Sequence, residues 1–293
     1  MTQGHNPTVQ QRRLIAALRR HRDDAGMTQK DVAEALEWSP SKVIRIETGA
    51  VGVSKTDLVA LLHLYGIEDQ EHIDQLVEVA KATRQLAWWD QYRHRHNQRL
   101  ITFIGYEDSA RSIRAFGALT IPGLLQTRAY ATAMIASFDT PPDEAVAGVE
   151  IRMRRQELFD RPNPPQLSFI LDEAVIRRWV GGPGVMREQL TRLSELNERP
   201  HITIRIARFD IGGYIGTKGS FGVLEIPLPD QGFEEYVIVR EFAHGDELIV
   251  NEPEQASSYL ETFFDLEAVA EPDSETDTIL GEILATIPGG EQV

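Results

Sequence analysis

The stretch "SPSKVIRIETG", residues 39–49, sets Lys42 and Arg45 three positions apart, a spacing that puts two cations on one helical face. The chemistry open to such a pair is recognition of a polyanion. A guanidinium can bond the O6/N7 edge of guanine through two parallel donors, and an apolar neighbour such as Ile44 can meet a thymine methyl. Ser39, Ser41 and Lys42 add short polar and cationic groups that suit phosphates. Glu47 would repel a phosphate and is expected to pair inside the fold instead.

Elsewhere the chain offers little reactive geometry. Glu107, Glu150, Asp172 and Glu173 fall near segment ends, and His201 and His244 lie beside strands. No pair of them has catalytic spacing, and no Ser/His/Asp order emerges. The glycine-rich runs at 181–184 and 211–222 are not phosphate loops, because Lys218 is followed by Gly219; they read as a helix start and a hairpin loop. His94-x-His96 has too few neighbouring ligands for a metal site. The expectation is a protein without catalytic residues, metal or cofactor.

Composition bounds the rest. The 293 residues suit two domains, and no apolar run approaches the roughly 18–20 residues that cross a bilayer. The start, "MTQGHNPTVQQRR", has no apolar core for a secretion signal. Zero cysteines exclude disulfides and thiolate chemistry and agree with a reducing interior, so a soluble, cytoplasmic protein is expected. The net charge of -15 is uneven: residues 1–100 sum to +1 and residues 101–293 to -16.

Local signals position the cations. Residues 12–25 carry Leu14, Ile15, Ala17 and Leu18 on one helical stripe, ended by Gly26. Thr28 caps a second helix, with Asp31 three positions on. Ser39 and Pro40 form a cap and first-turn pair for a third helix, and Gly49 closes it. Val32, Leu36, Trp38, Val43 and Ile46 point inward, which leaves Ser41, Lys42, Ile44 and Arg45 outside. Two short helices joined this tightly fit a helix-turn-helix; a plain helical bundle is the competing reading.

This pattern, "TQKDVAEAL...SPSKVIRIETG", resembles the XRE family of helix-turn-helix regulators over about residues 10–66. The resemblance implies that Gln29 reaches a phosphate and that Arg45 reads a base. The turn position such regulators give to glycine is Glu37 here. Either Glu37 takes a left-handed backbone at roughly 1–2 kcal/mol, or the turn differs.

Residues 69–86 read as one helix, followed by the aromatic and basic connector "LAWWDQYRHRHNQRL". Trp88, Trp89 and Tyr92 there could anchor to a membrane, stack on nucleic acid or pack as an amphipathic connector. Beyond it, "YEDSARSIRAF" reads as helix. "PQLSFIL", "HITIRIARF", "SFGVLEIP" and "EYVIVREF" read as strands, and further helices surround them. The fold class expected is a mainly α N-terminal helix-turn-helix bundle plus an α+β C-terminal domain with a small antiparallel sheet. The divisions fall at 1–85, 86–105 (connector), 106–270 and 271–293.

The stretches "PGLLQTRAYA", "RRQELF", "VGGPGVMREQLTRL" and "GTKGSFGVLEIP" resemble a C-terminal domain of unknown function found behind XRE motifs in actinobacterial regulators and described as antitoxin-like. That resemblance implies a transcriptional regulator, a repressor or an activator, acting with a small protein encoded nearby. The partners expected are a double-stranded DNA operator, a second copy of the chain in a homodimer, such a small protein and an unknown small molecule. No membrane is expected. An antitoxin that masks a toxin and autoregulates its operon is the alternative, and an enzyme with a DNA-targeting domain is a third.

Overall fold

A computed structural model describes residues 6–138, 140–228, 233–242 and 245–288. The chain separates into two units, residues 1–90 and 91–293. His244 lies outside the described residues.

The first unit is five helices: α1 (Pro7–Asp24), α2 (Gln29–Ala35), α3 (Pro40–Glu47), α4 (Lys55–Leu64) and α5 (Gln70–Ala82). Each begins at a side chain that accepts orphan backbone N–H groups, namely Asn6, Thr28, Ser39, Ser54 and Asp69. Five caps in about 65 residues fix where each helix starts, so the apolar stripes face one another in register. Leu18, Val32, Val43, Leu58 and Leu62 meet in one buried core that also takes in Ile73 and Val77 of α5. The helix expected over 69–86 ends at Ala82. In the connector Trp89 and Tyr92 are buried, and Trp88 meets Trp89 edge-on at 5.5 Å. Those rings are used in packing.

The second unit is built on a six-stranded sheet: β1 (Ser112–Gly117), β2 (Gln166–Asp172), β3 (Ile202–Ala207), β4 (Phe221–Leu228), β5 (Phe233–Arg240) and β6 (Glu247–Val250). Their order is β3-β2-β1-β4-β5-β6. The sheet is mixed, which corrects the antiparallel expectation. β1 pairs β2 and β2 pairs β3 in parallel, whereas β4, β5 and β6 run antiparallel. Parallel neighbours need a crossover. The helices α7 (Arg128–Ala136) and α8 (Pro142–Arg155) supply the first, and α9 (Glu173–Arg177) and α10 (Pro183–Asn197) the second.

Two further expectations change. The stretch read as a helix, "YEDSARSIRAF", divides: α6 (Gln98–Ser109) ends in it and β1 begins three residues later. The loop at 211–222 is not a hairpin, because it joins β3 to β4 across two intervening strands. It is pinned at Gly216, where any Cβ would come within 2.4 Å of the Tyr214 ring and 2.6 Å of Phe116. The other glycine run does start a helix: Gly181 and Gly182 take positive φ immediately before α10. On the sheet, α11 (Pro253–Val269) packs Phe263 and Leu266 onto Phe116, Ile170, Val223 and Ile238. The helix α12 (Thr276–Thr286) closes against α10 and β3.

Candidate nucleic-acid interface

The α2–α3 pair is held by hydrogen bonds that its sequence dictates. Thr28 and Asp31 form both halves of a capping box. The Trp38 N–H donates to the Ala33 carbonyl at 2.8 Å and closes the turn. Between them Glu37 has φ 54°, so the first of the two alternatives holds: a β-carbon-bearing residue occupies the left-handed position usually given to glycine. Ser39 accepts from the Lys42 N–H at 3.3 Å and starts α3.

A buried ionic network fixes how α1, α2 and α3 cross. Glu47, only 2% exposed, accepts from Arg22 Nε at 2.8 Å and Nη2 at 3.2 Å, and from Gln29 Nε2 at 2.8 Å. Arg22 also donates to the Met27 carbonyl at 2.9 Å. The Glu47 hydrogen bonds raise the Arg22 guanidinium above its ordinary value. Burial first, and then the charge of Glu47, push the nearby Tyr65 phenol up. Glu47 thus pairs inside the fold, as its sequence position suggested.

The structure separates the six candidate contact residues. Ser39, Ser41, Ile44 and Arg45 are exposed, with 43% of Ile44 open to solvent. Among the described residues the Arg45 guanidinium has no hydrogen-bond or ionic partner. Lys42 is already engaged: its Nζ lies 2.9 Å from Asp57 Oδ1 and 3.5 Å from the centroid of the Trp38 ring. Gln29 is half-buried and gives its amide to Glu47. The face of α3 that is open therefore consists of Ser41, Ile44 and Arg45, with Ser39 at its start and Thr48 at its end.

The polar residues weighed for catalysis hold separate structural places. Glu107 takes Arg155 through two hydrogen bonds of 2.6 and 2.7 Å. Asp172 caps α9 and accepts from the Tyr214 hydroxyl at 2.6 Å. Glu173 accepts from Arg177 Nε and from the Phe209 N–H. Glu150 is exposed, and His201 sits at the turn before β3. They are spread over different elements.

A helix-turn-helix domain family matches residues 13–76. A family described as a domain of unknown function (DUF5753) matches residues 100–282, which is more than half of the chain. The chain belongs to the DUF5753 family. Its DUF5753 domain begins within α6 and runs into α12, so it takes in the whole six-stranded sheet. No curated protein and no solved structure matches the chain. Among the described residues no helix is long and apolar enough to cross a membrane.

Proposed function

We propose that this DUF5753 protein is a sequence-specific DNA-binding regulator. In this reading α3 enters the major groove, and the DUF5753 domain receives a regulatory partner or ligand and supports dimerisation. One observation carries the reading. Arg45 and Ile44 stand side by side, without a partner among the described residues, on the outer face of a helix whose other face is locked by Val43, Ile46 and Glu47. A rigid helix presenting one free guanidinium and one bare alkyl group suits a guanine followed by a thymine methyl. Lys42, steadied by Asp57 and Trp38, serves a phosphate, and Ser39 and Ser41 do the same.

A single module of this kind buries only roughly 600–1,000 Å² on DNA. Tight binding therefore calls for two copies on an inverted repeat, with half-sites about one helical turn apart. The test selects sites from random duplexes with the full chain and then compares variants on the selected site. Arg45→Ala should cost about 1–3 kcal/mol and relax preference at one base pair. Ser41→Ala should weaken all duplexes alike. A uniform loss from Arg45→Ala removes direct readout from the proposal.

A further inference from the structure

The second unit holds a cavity of about 600 Å³, lined mostly by residues of the DUF5753 domain, a size in the range of small-molecule sites. Its floor is the sheet, where Ala115 of β1, Gly222 of β4 and Val239 of β5 lie directly across from one another in register. Small residues at the middle of a sheet leave room where larger ones would fill it. The walls come from α6, the inner face of α8, the end of α7 and the 119–124 loop. They are mostly apolar, with Phe103, Ile121 and Ile135 among them, and Ile113 and Phe169 continue the apolar surface along the floor.

Three polar side chains that line this apolar space lack a partner among the described residues for a buried atom: Arg152 at Nε, His96 at Nε2 and Gln126 at Oε1. The neighbouring Arg155 provides the contrast, since Glu107 satisfies it bidentately. Among the described residues Arg152 makes only a 3.3 Å bond from Nη1 to the Gly148 carbonyl of its own helix. Burial, with Arg155 adding repulsion, lowers its guanidinium to about 10. The exposed Glu241 and Asp246 favour its charge, and among the described residues neither forms a hydrogen bond or ion pair with it. His96 stands beside Arg152, because a Cβ built on Gly148 would lie 3.6 Å from Arg152 Nη1 and 3.8 Å from His96 Cε1. A guanidinium and an imidazole thus converge on one end of an apolar chamber, and a buried donor left unmade costs free energy that a bound acceptor recovers.

We infer that the cavity binds a small amphipathic carboxylate, its head held by Arg152 and His96 and its apolar body against the sheet floor. This rests on the reading of the DUF5753 domain as the receiving half of a regulator and names the class of ligand received. The test is calorimetric titration of the full chain with decanoate and 4-butylbenzoate, and with decylamine and decanol as headgroup controls. One carboxylate per chain should bind, at least ten-fold more tightly than the amine or the alcohol. Arg152→Met should remove that preference while leaving decanol binding as it was, which a merely collapsed cavity could not do. Arg128→Met, on the exposed start of α7, should change nothing. Ala115→Leu fills the floor and should abolish binding of carboxylate and alcohol together. Equal affinity for the headgroups, no binding by the folded chain, or full selectivity in Arg152→Met overturns the assignment. Duplex binding measured on the same preparations keeps the two ideas apart. A chain that selects carboxylates but binds no DNA loses the regulatory reading alone, and one that binds DNA but no carboxylate loses the cavity assignment alone.

Discussion

Replacing Glu47 by leucine is the sharpest test of how the first unit is held together. The substitution keeps side-chain volume roughly constant but strands Arg22 and the amide of Gln29. Removing one member of a buried ion pair costs about 3–5 kcal/mol. Arg22 is 13% exposed and keeps Asp23 and the Met27 carbonyl as partners, so its share should be nearer ~2 kcal/mol. The lost Gln29 bond adds about 1 kcal/mol. A total near ~3 kcal/mol corresponds to about 12–24 °C in Tm for a unit of this size. Hydrogen exchange at the Val43 and Ile46 amides reads the effect inside the first unit, whatever the second unit does. The double variant Arg22→Met with Glu47→Leu should recover most of the loss, because an apolar pair leaves no stranded charge. A coupling below about 0.5 kcal/mol in that cycle would mean the two residues act independently, and the network would not be what sets the α1–α3 crossing.

Three further outcomes follow from the same structure. Glu37→Gly relieves a left-handed residue worth about 1–2 kcal/mol and gives back about 0.5–1 kcal/mol in unfolded-state entropy, so urea melts should show a modest gain; a loss would mean that Glu37 has a stabilising role in the turn. His21 Nε2 lies 3.1 Å from His72 Nε2, and burial first, then His72, lowers the His21 pKa below 6.5. The unfolded chain then binds more protons, so stability should fall as pH drops through about 6.5 towards the folded value; His21→Gln should flatten that slope, and an unchanged slope would exclude the pair as its source. Removing residues 101–293 deletes a net charge of -16. It should strengthen binding to random duplex at low salt and weaken binding to a paired site, and an unchanged specific-to-random ratio in a salt titration would count against both roles of the DUF5753 domain.

The first unit was legible because its signals are local. Thr28 with Asp31, Ser39 with Pro40, and the glycines at 26 and 49 each fix a helix end within four residues of themselves, and the apolar spacing does the rest. What escaped was set by contacts between residues far apart in sequence. Nothing near Lys42 announces Asp57, 15 residues away, and nothing near Gln29 announces Glu47, 18 residues away. Both side chains therefore read as free when they are engaged. Strand direction failed for a different reason. Helical segments do intervene between "PQLSFIL" and "HITIRIARF", and a strand–helix–strand order is the mark of a parallel pair; the all-antiparallel expectation passed over that signal. β1 is only six residues long with Arg114 in its middle, too short for its period to separate from that of a helix.

The cavity lies at the far end of that scale. In sequence, Ala115 and Gly222 are simply weak strand formers, and "GVEIRMRRQELF" is an amphipathic helix with a basic flank. Only the pairing of β1 with β4 places the two small residues opposite each other, and only the approach of the segment before α6 to α8 at Gly148 brings His96 and Arg152 to the same chamber. The two arginines of α8 three positions apart look equivalent in the chain, yet among the described residues one meets Glu107 and the other meets no acceptor outside its own helix. A helix that needed both merely for solubility would leave both in water. One guanidinium matched and one held open beside it is the arrangement expected where a helix serves the fold at Arg155 and a ligand at Arg152.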